Sequence, residues 1–252
     1  MCIRDRTEMK ILESIVVAFQ FLTRLYLPIN VEWDTANLRR SLTWFGLVGA
    51  FIGVILAGAM TLFNRFDLIP AVSAIIILII WIFITGGMHI DGISDMADGF
   101  FSMRDKEKTL EIMKDSHVGA FGVITIVFLL LIKFEMLKEF IIIEKNVWLL
   151  ILPPTIARIA AGLVLSFYET TKKNGLGYTF HSSDPRIFWA IGFIVTLIIS
   201  SILNIKSLIF IGIAILASNL MALWAKKKIG GLNGDIYGAI VETVEVIGTV
   251  SY

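Results

Sequence analysis

One cysteine, three histidines and five prolines in 252 residues put several structural devices out of reach. Cys2 has no internal partner, so no disulfide framework holds this chain, and a zinc site built from Cys and His lacks ligands. Charge is scarce too. Asp, Glu, Lys and Arg make up 17% of the sequence, against roughly 25% in soluble domains, which excludes a disordered chain held open by its own charge. The 22 basic and 21 acidic residues nearly cancel to +1, so no nucleic acid or other polyanionic partner is expected. No solenoid or propeller period and no Gly/Ser/Pro linker divides the chain.

What is abundant is apolar surface: 57% of residues are hydrophobic and the mean hydropathy is +0.83. One compact core cannot hide that much, and lipid is the expected solvent. Seven runs approach the 20 or so residues needed to cross about 30 Å of hydrocarbon: Ser41 to Phe63, Leu68 to Met88, Val118 to Leu137, Val147 to Phe167, Ile187 to Leu203, Ser207 to Trp224 and a weaker one from Ile236 to Val250. They predict an all-α polytopic membrane bundle of six to eight transmembrane helices, residues 1–252 forming one integral membrane domain. Residues 1–8 are charged and unlike the rest of the chain, and read as a non-native or disordered leader with Met9 as the native start. Ile11 to Leu27, notched by Gln20 and Arg24, reads as an amphipathic helix in the membrane interface.

With seven crossings, loops 90–117, 168–186 and 225–235 share a side and carry ten Lys and Arg against five opposite, Lys133 being counted among the five. The positive-inside bias places the three loops in the cytoplasm. The runs at 118–132 and 187–203 read as plain wall helices. Arg158, Glu242 and Glu245 instead fall inside apolar runs, where an ionisable group either serves function or pairs with an opposite charge across the bundle.

The densest polar signal is Gly86-Gly87-Met88-His89-Ile90-Asp91-Gly92-Ile93-Ser94-Asp95-Met96-Ala97-Asp98-Gly99. Asp91, Asp95 and Asp98 stand at i, i+4 and i+7, within about 60° of one another on a helix. Such a stripe repels itself unless a cation neutralises it, and bare oxygen donors favour Mg²⁺ or Mn²⁺ over Zn²⁺. Lys114 and Asp115, ahead of Gly119-Ala120-Phe121-Gly122, offer a second metal or phosphate contact. His89 and His117 are each a candidate base, although a lone histidine more commonly only hydrogen-bonds. Lys172 with Gly175 and Gly177 suits an anion or lipid headgroups. Gly230-Gly231-Leu232-Asn233-Gly234-Asp235 is a glycine-rich turn ending in an acid, followed by Glu242 and Glu245. Metal, phosphate and membrane together point to phosphoryl-type transfer.

These motifs, in this order and with Phe19-Gln20-Phe21-Leu22-Thr23-Arg24 near the start, resemble the cobalamin 5'-phosphate synthase family, also called adenosylcobinamide-GDP ribazoletransferases, from about Ile11 onward. Asn233 and His117 stand where that family more often has Thr and Arg. The resemblance implies a multi-pass enzyme of the prokaryotic cytoplasmic membrane with its active face in the cytoplasm, free to associate with further copies of itself. It would join α-ribazole or its 5'-phosphate to adenosylcobinamide-GDP with Mg²⁺, the 5'-oxygen of ribazole displacing GMP from the phosphorus attached to cobinamide. Carried onto this chain, it implies Asp91, Asp95 and Asp98 as Mg²⁺ ligands, with Asp115 or Asp235 completing the coordination or acting as base. Arg24, Lys114, Arg158 and Lys172 would neutralise phosphate, and His89, Gly175, Gly177, Gly231, Gly234 and Glu242 would complete the substrate site. A CDP-alcohol phosphotransferase is the nearest alternative, but Asp91-Gly92 is followed by Ser94-Asp95 rather than its usual Ala-Arg. A secondary transporter would show matched halves, and none is visible.

Overall fold

The computed structural model describes residues 3–143, 146–171, 176–181 and 184–250. Twelve α-helices run through them: α1 (Ile3–Leu22), α2 (Thr35–Ser41), α3 (Phe45–Arg65), α4 (Pro70–Thr85), α5 (Met88–Phe101), α6 (Lys106–Ile112), α7 (Ala120–Ile143), α8 (Leu152–Phe167), α9 (Leu176–His181), α10 (Arg186–Leu203), α11 (Ser207–Ile229) and α12 (Gly234–Val250). Their ends follow local chemistry. Asp34 and Asp105 cap α2 and α6 by accepting the N–H groups of Asn37 and Lys108, and Pro70 opens α4, where its missing N–H costs nothing. Among the described residues the only extended pairing is a bridge between Thr170 and Leu232.

Five stretches are long and apolar enough to cross a membrane: Thr35–Arg65, Ala120–Ile143, Val147–Phe167, Arg186–Leu203 and Ser207–Ile229; α4 and α5 make a sixth if taken as one bent span. The chain is a polytopic helical bundle. Its outer faces are apolar: Val123, Val127, Phe128 and Leu131 on α7, and Ile187, Ile191, Ile194 and Ile198 on α10, are exposed. The seventh expected crossing is different. α12 has 17 residues, and from Ile236 to Thr249 it is buried along almost its whole length, packed among α5, α7, α8 and α11. It reads as the weakest membrane run because protein, not lipid, surrounds it.

The expected span at 68–88 also stops short. Gly86 and Gly87 have φ of +64° and +70°, a region that a β-carbon disfavours, and the chain turns by 87° between α4 and α5. A β-carbon on Gly86 would run into the Arg24 side chain, while the Arg24 N–H donates to the Ile84 carbonyl at 2.8 Å. The N-terminal segment is thus stitched to this corner. α1 itself ends at Leu22, five residues before the helix read from the sequence, and buries Val16, Val17, Ala18 and Leu22.

Charge fixes α12 in depth. Lys133 of α7 donates to Glu242 at 2.5 Å and to Glu245 at 2.6 Å. Arg158 of α8 pairs with Glu245, which also accepts from the Trp81 indole at 3.2 Å. Two cations and two anions cancel inside the bundle, which is what makes four buried ions tolerable. Lys133, expected on the loop side opposite the site, lies mid-helix and is 2% exposed, because α7 continues to Ile143.

Candidate functional site

α5 carries the aspartate stripe on a helix, as its spacing requires. Asp91 and Asp95 have neither a hydrogen-bond partner nor a counter-ion among the described residues, and the charges acting on Asp95 are those of Asp91, Asp235 and Asp98, all negative. Asp98 has a second task. It accepts the Gly119 N–H at 2.7 Å and the Gly122 N–H at 2.9 Å, so it caps the start of α7 from another helix. A β-carbon at either glycine would collide with its carboxylate, which explains the Gly-Ala-Phe-Gly spacing.

The fourth acid arrives from the first turn of α12. The loop before it is pinned by the Thr171 N–H to the Leu232 carbonyl at 2.9 Å and by the Leu232 N–H to the Glu169 carbonyl at 3.0 Å. Gly231 passes the backbone of residues 169–171 too closely for a side chain, its β-carbon position lying 2.8 Å from the Thr170 carbonyl carbon. Asn233 accepts the Ile236 N–H at 3.1 Å and donates to Asp235 at 2.8 Å. It therefore caps α12 and orients the acid together. Gly92 and Gly238 let α5 and α12 touch: a β-carbon on Gly238 would lie 3.2 Å from the His89 backbone.

Two cavities meet at this contact. An outer one of about 420 Å³ is lined by Lys114, Thr170, Gly177, Tyr178, Asn233 and Asp235 among others. An inner one of about 270 Å³ reaches His89, Phe45, Ala161 and Val241. Phe21, Leu165, Gly234, Asp235 and Tyr237 line both. The loops on either side belong to one end of the bundle, since Lys228 also donates to the Arg104 carbonyl at 2.8 Å.

The structure therefore brings Asp91, Asp95 and Asp98 to Asp235 where α5 and α12 touch, while Lys114, Gly177 and Gly234 line the outer cavity with Asp235, His89 lines the inner one, and Gly231 stands in the loop before α12. Asp115 stands apart, exposed on the surface; the backbone N–H and ring of His117 hold its carboxyl below the usual carboxylate range. Arg24 lines a separate recess of about 450 Å³ formed within residues 20–30. Arg158 and Glu242, expected at the substrate, are held in the buried ion network beneath the site, where Arg158 is 0% exposed and its charge is already paired. Lys172 and Gly175 lie outside the described residues. Sequence reasoning missed Tyr237 and Lys133. The surplus of Glu242 and Glu245 over the single cation Arg158 was the signal for Lys133, whereas nothing in the sequence marks Tyr237.

Among the described residues no three Asp, Glu, His or Cys side chains enclose a metal ion by themselves. Mg²⁺ seldom needs such a cage; it keeps waters and is held by one or two carboxylates plus substrate phosphates. An all-oxygen set with two uncompensated carboxylates facing a third across a helix contact fits that mode.

Fold and site together define a polytopic helical membrane protein with an acidic, cavity-bearing site at one end. The chain belongs to the cobalamin-5-phosphate synthase family, whose profile matches residues 14–252, and it is accordingly a transferase of cobalamin biosynthesis. It is 35% identical to a Clostridium botulinum (strain Loch Maree / Type A3) protein over 94% of this chain and 95% of that one. It is 34% identical to a Clostridioides difficile (strain 630) protein with the same coverage, and 34% identical to a Geobacillus sp. (strain WCH70) protein over 91% of both. All three are named adenosylcobinamide-GDP ribazoletransferase. No solved structure matches the chain.

Proposed function

We propose that this chain joins α-ribazole, or its 5'-phosphate, to adenosylcobinamide-GDP and releases GMP, with Mg²⁺ bound at the diphosphate and the aspartate face in the cytoplasm. The observation that carries this reading is that Asp235 of α12, which lines both cavities, acts on Asp95 of α5 together with Asp91, and that Asp91 and Asp95 have no counter-ion among the described residues. Three carboxylates alone would repel a diphosphate, and a divalent cation between them offsets most of that charge and gives the phosphate oxygens an attractive contact.

Asp95 with one neighbour, Asp91 or Asp235, would hold the metal together with diphosphate oxygens and water, with Asp98 close behind them against α7. When bound, the ion supplies neutralisation of the diphosphate oxygens and polarisation of the phosphorus. The residues of the chain do the rest. Lys114, at the outer cavity, neutralises phosphate charge, and α5 and α12 orient the two substrates. A ribose hydroxyl oxygen bonds to the phosphorus next to cobinamide, the bond from that phosphorus to the GMP oxygen breaks, and GMP leaves with that oxygen. An acceptor bearing a 5'-phosphate keeps it, so the attacking hydroxyl is another one on the ring and not the 5'-oxygen expected from the sequence. The hydroxyl proton passes to Asp235, which lines both cavities; Asp115, out in solvent, is the weaker base.

Orientation rests on Arg104, Lys106, Lys108, Lys114 and Lys226 to Lys228, which lie at the same end as the acids. The test is incubation of detergent-purified protein with adenosylcobinamide-GDP, α-ribazole and Mg²⁺, with product read by mass. A cobalamin that forms only when both substrates are present supports the reading. Hydrolysis to GMP without joining, or no reaction, contradicts it.

A further inference from the structure

Two buried polar groups at the cavities have no partner. The Nδ1 of His89 and the hydroxyl of Tyr237 are both shut off from solvent and make no hydrogen bond, in residues only 7% and 8% exposed. A buried polar atom left unpaired is destabilising and needs a reason. Both residues line the inner cavity, and neither makes an ion pair with Lys133, Arg158, Glu242 or Glu245, although the charges of Arg158, Glu245 and Lys133 act on His89 from behind.

The walls around them are apolar and partly aromatic. Phe21 and Phe45 stack with ring centres 5.9 Å apart at 24°, and both face the cavity with Ala161 and Val241. At about 270 Å³ the space lies just below the roughly 300–1,000 Å³ of pockets that take a whole drug-sized ligand. A corrin ring is too large for it. One fragment of a substrate, flat and apolar with a single polar edge, is the right size and character. Tyr237 stands between the two cavities: its hydroxyl is 3.7 Å from where a β-carbon on Gly177 would stand, on the outer-cavity side.

Resting on the function proposed above, we infer that the inner cavity holds the planar nitrogen heterocycle of the ribonucleoside acceptor. The ring lies against Phe21 and Phe45, with its free ring nitrogen hydrogen-bonded to His89. Its sugar passes the neck, where the Tyr237 hydroxyl bonds a ribose oxygen and a second ribose hydroxyl comes to Asp235. The cavity thus selects the acceptor by its base, and the acids act on its sugar.

Initial-rate kinetics on the purified full chain separate these statements. Tyr237→Phe removes only an oxygen and should raise KM for α-ribazole about tenfold, leaving KM for adenosylcobinamide-GDP unchanged. His89→Ala should do the same, and His89→Asn, whose amide can occupy the Nδ1 position, should recover part of the loss. Ala161→Leu fills the space without deleting a polar group; it should abolish α-ribazole binding in titration calorimetry while the thermal midpoint holds or rises. Unchanged α-ribazole KM in Tyr237→Phe, or a shift confined to adenosylcobinamide-GDP, overturns the inference. Absence of GMP release in the unmodified chain would instead overturn the function on which it rests.

Discussion

Gly92 of α5 lies directly against Asp235 of α12: a β-carbon built on it would stand 2.8 Å from the Asp235 carbonyl oxygen and 3.0 Å from its Cα. The two helices that carry the acids touch backbone to backbone at this point. Gly92→Ala must push them apart, because both neighbours are main chain and cannot swing away. We expect turnover to fall at least tenfold and stability by about 1–3 kcal/mol, read by GMP release and by thermal unfolding in detergent.

The aspartates of the stripe should separate by stability as well as by activity. Asp91→Asn and Asp95→Asn each relieve like-charge repulsion worth about 0.2–0.5 kcal/mol and should melt no lower than the unmodified chain, yet lose activity. Asp98→Ala deletes the acceptor for two N–H groups at the start of α7 and should cost about 1–2 kcal/mol. A single thermal series on the three variants distinguishes repelling acids from the capping one.

The buried network predicts non-additivity. Lys133→Met strands Glu242 with no cation in hydrogen-bond reach and should destabilise by about 3–5 kcal/mol. Lys133→Met combined with Glu242→Gln removes both charges of that pair and should recover more than half of the loss in the same melting experiment. A double variant that loses the sum of what Lys133→Met and Glu242→Gln lose singly would show that the pairing contributes nothing.

Orientation is checked by labelling. Lys228, whose ammonium holds the Arg104 carbonyl at the acidic end, is replaced by cysteine in a chain whose Cys2 is changed to serine. In intact cells a membrane-impermeant maleimide should leave Cys-bearing protein unlabelled, and should label it once the membrane is opened.

The sequence made the helical membrane class and the α5 stripe readable because both depend on local pattern: long apolar runs and an i, i+4, i+7 spacing. It also placed loops 90–117 and 225–235 on one side, and the Lys228 to Arg104 bond joins them. Other features depend on which neighbour a residue meets. α12 scores poorly for lipid because it is the buried centre of the bundle, and Lys133 counts as a loop cation until α7 is seen to run past it. The 87° corner after α4 hinges on two left-handed glycines that a hydropathy window averages away. Asp98 looked like the equal of Asp91 and Asp95, since capping of α7 across 21 residues of sequence leaves no local mark. The same is true of the cavities behind Asp235, whose walls come from helices far apart in the chain.

The central claim is that the carboxylates of α5 and α12 support a Mg²⁺-dependent transfer from adenosylcobinamide-GDP to ribazole. It is tested most directly by GMP release from purified protein given both substrates, with Mg²⁺ or with chelator, in the unmodified chain and in folded Asp95→Asn. The account predicts release only in the unmodified chain with Mg²⁺, restored when Mg²⁺ is returned after chelation. Undiminished release by Asp95→Asn, or by the chelated protein, would contradict it.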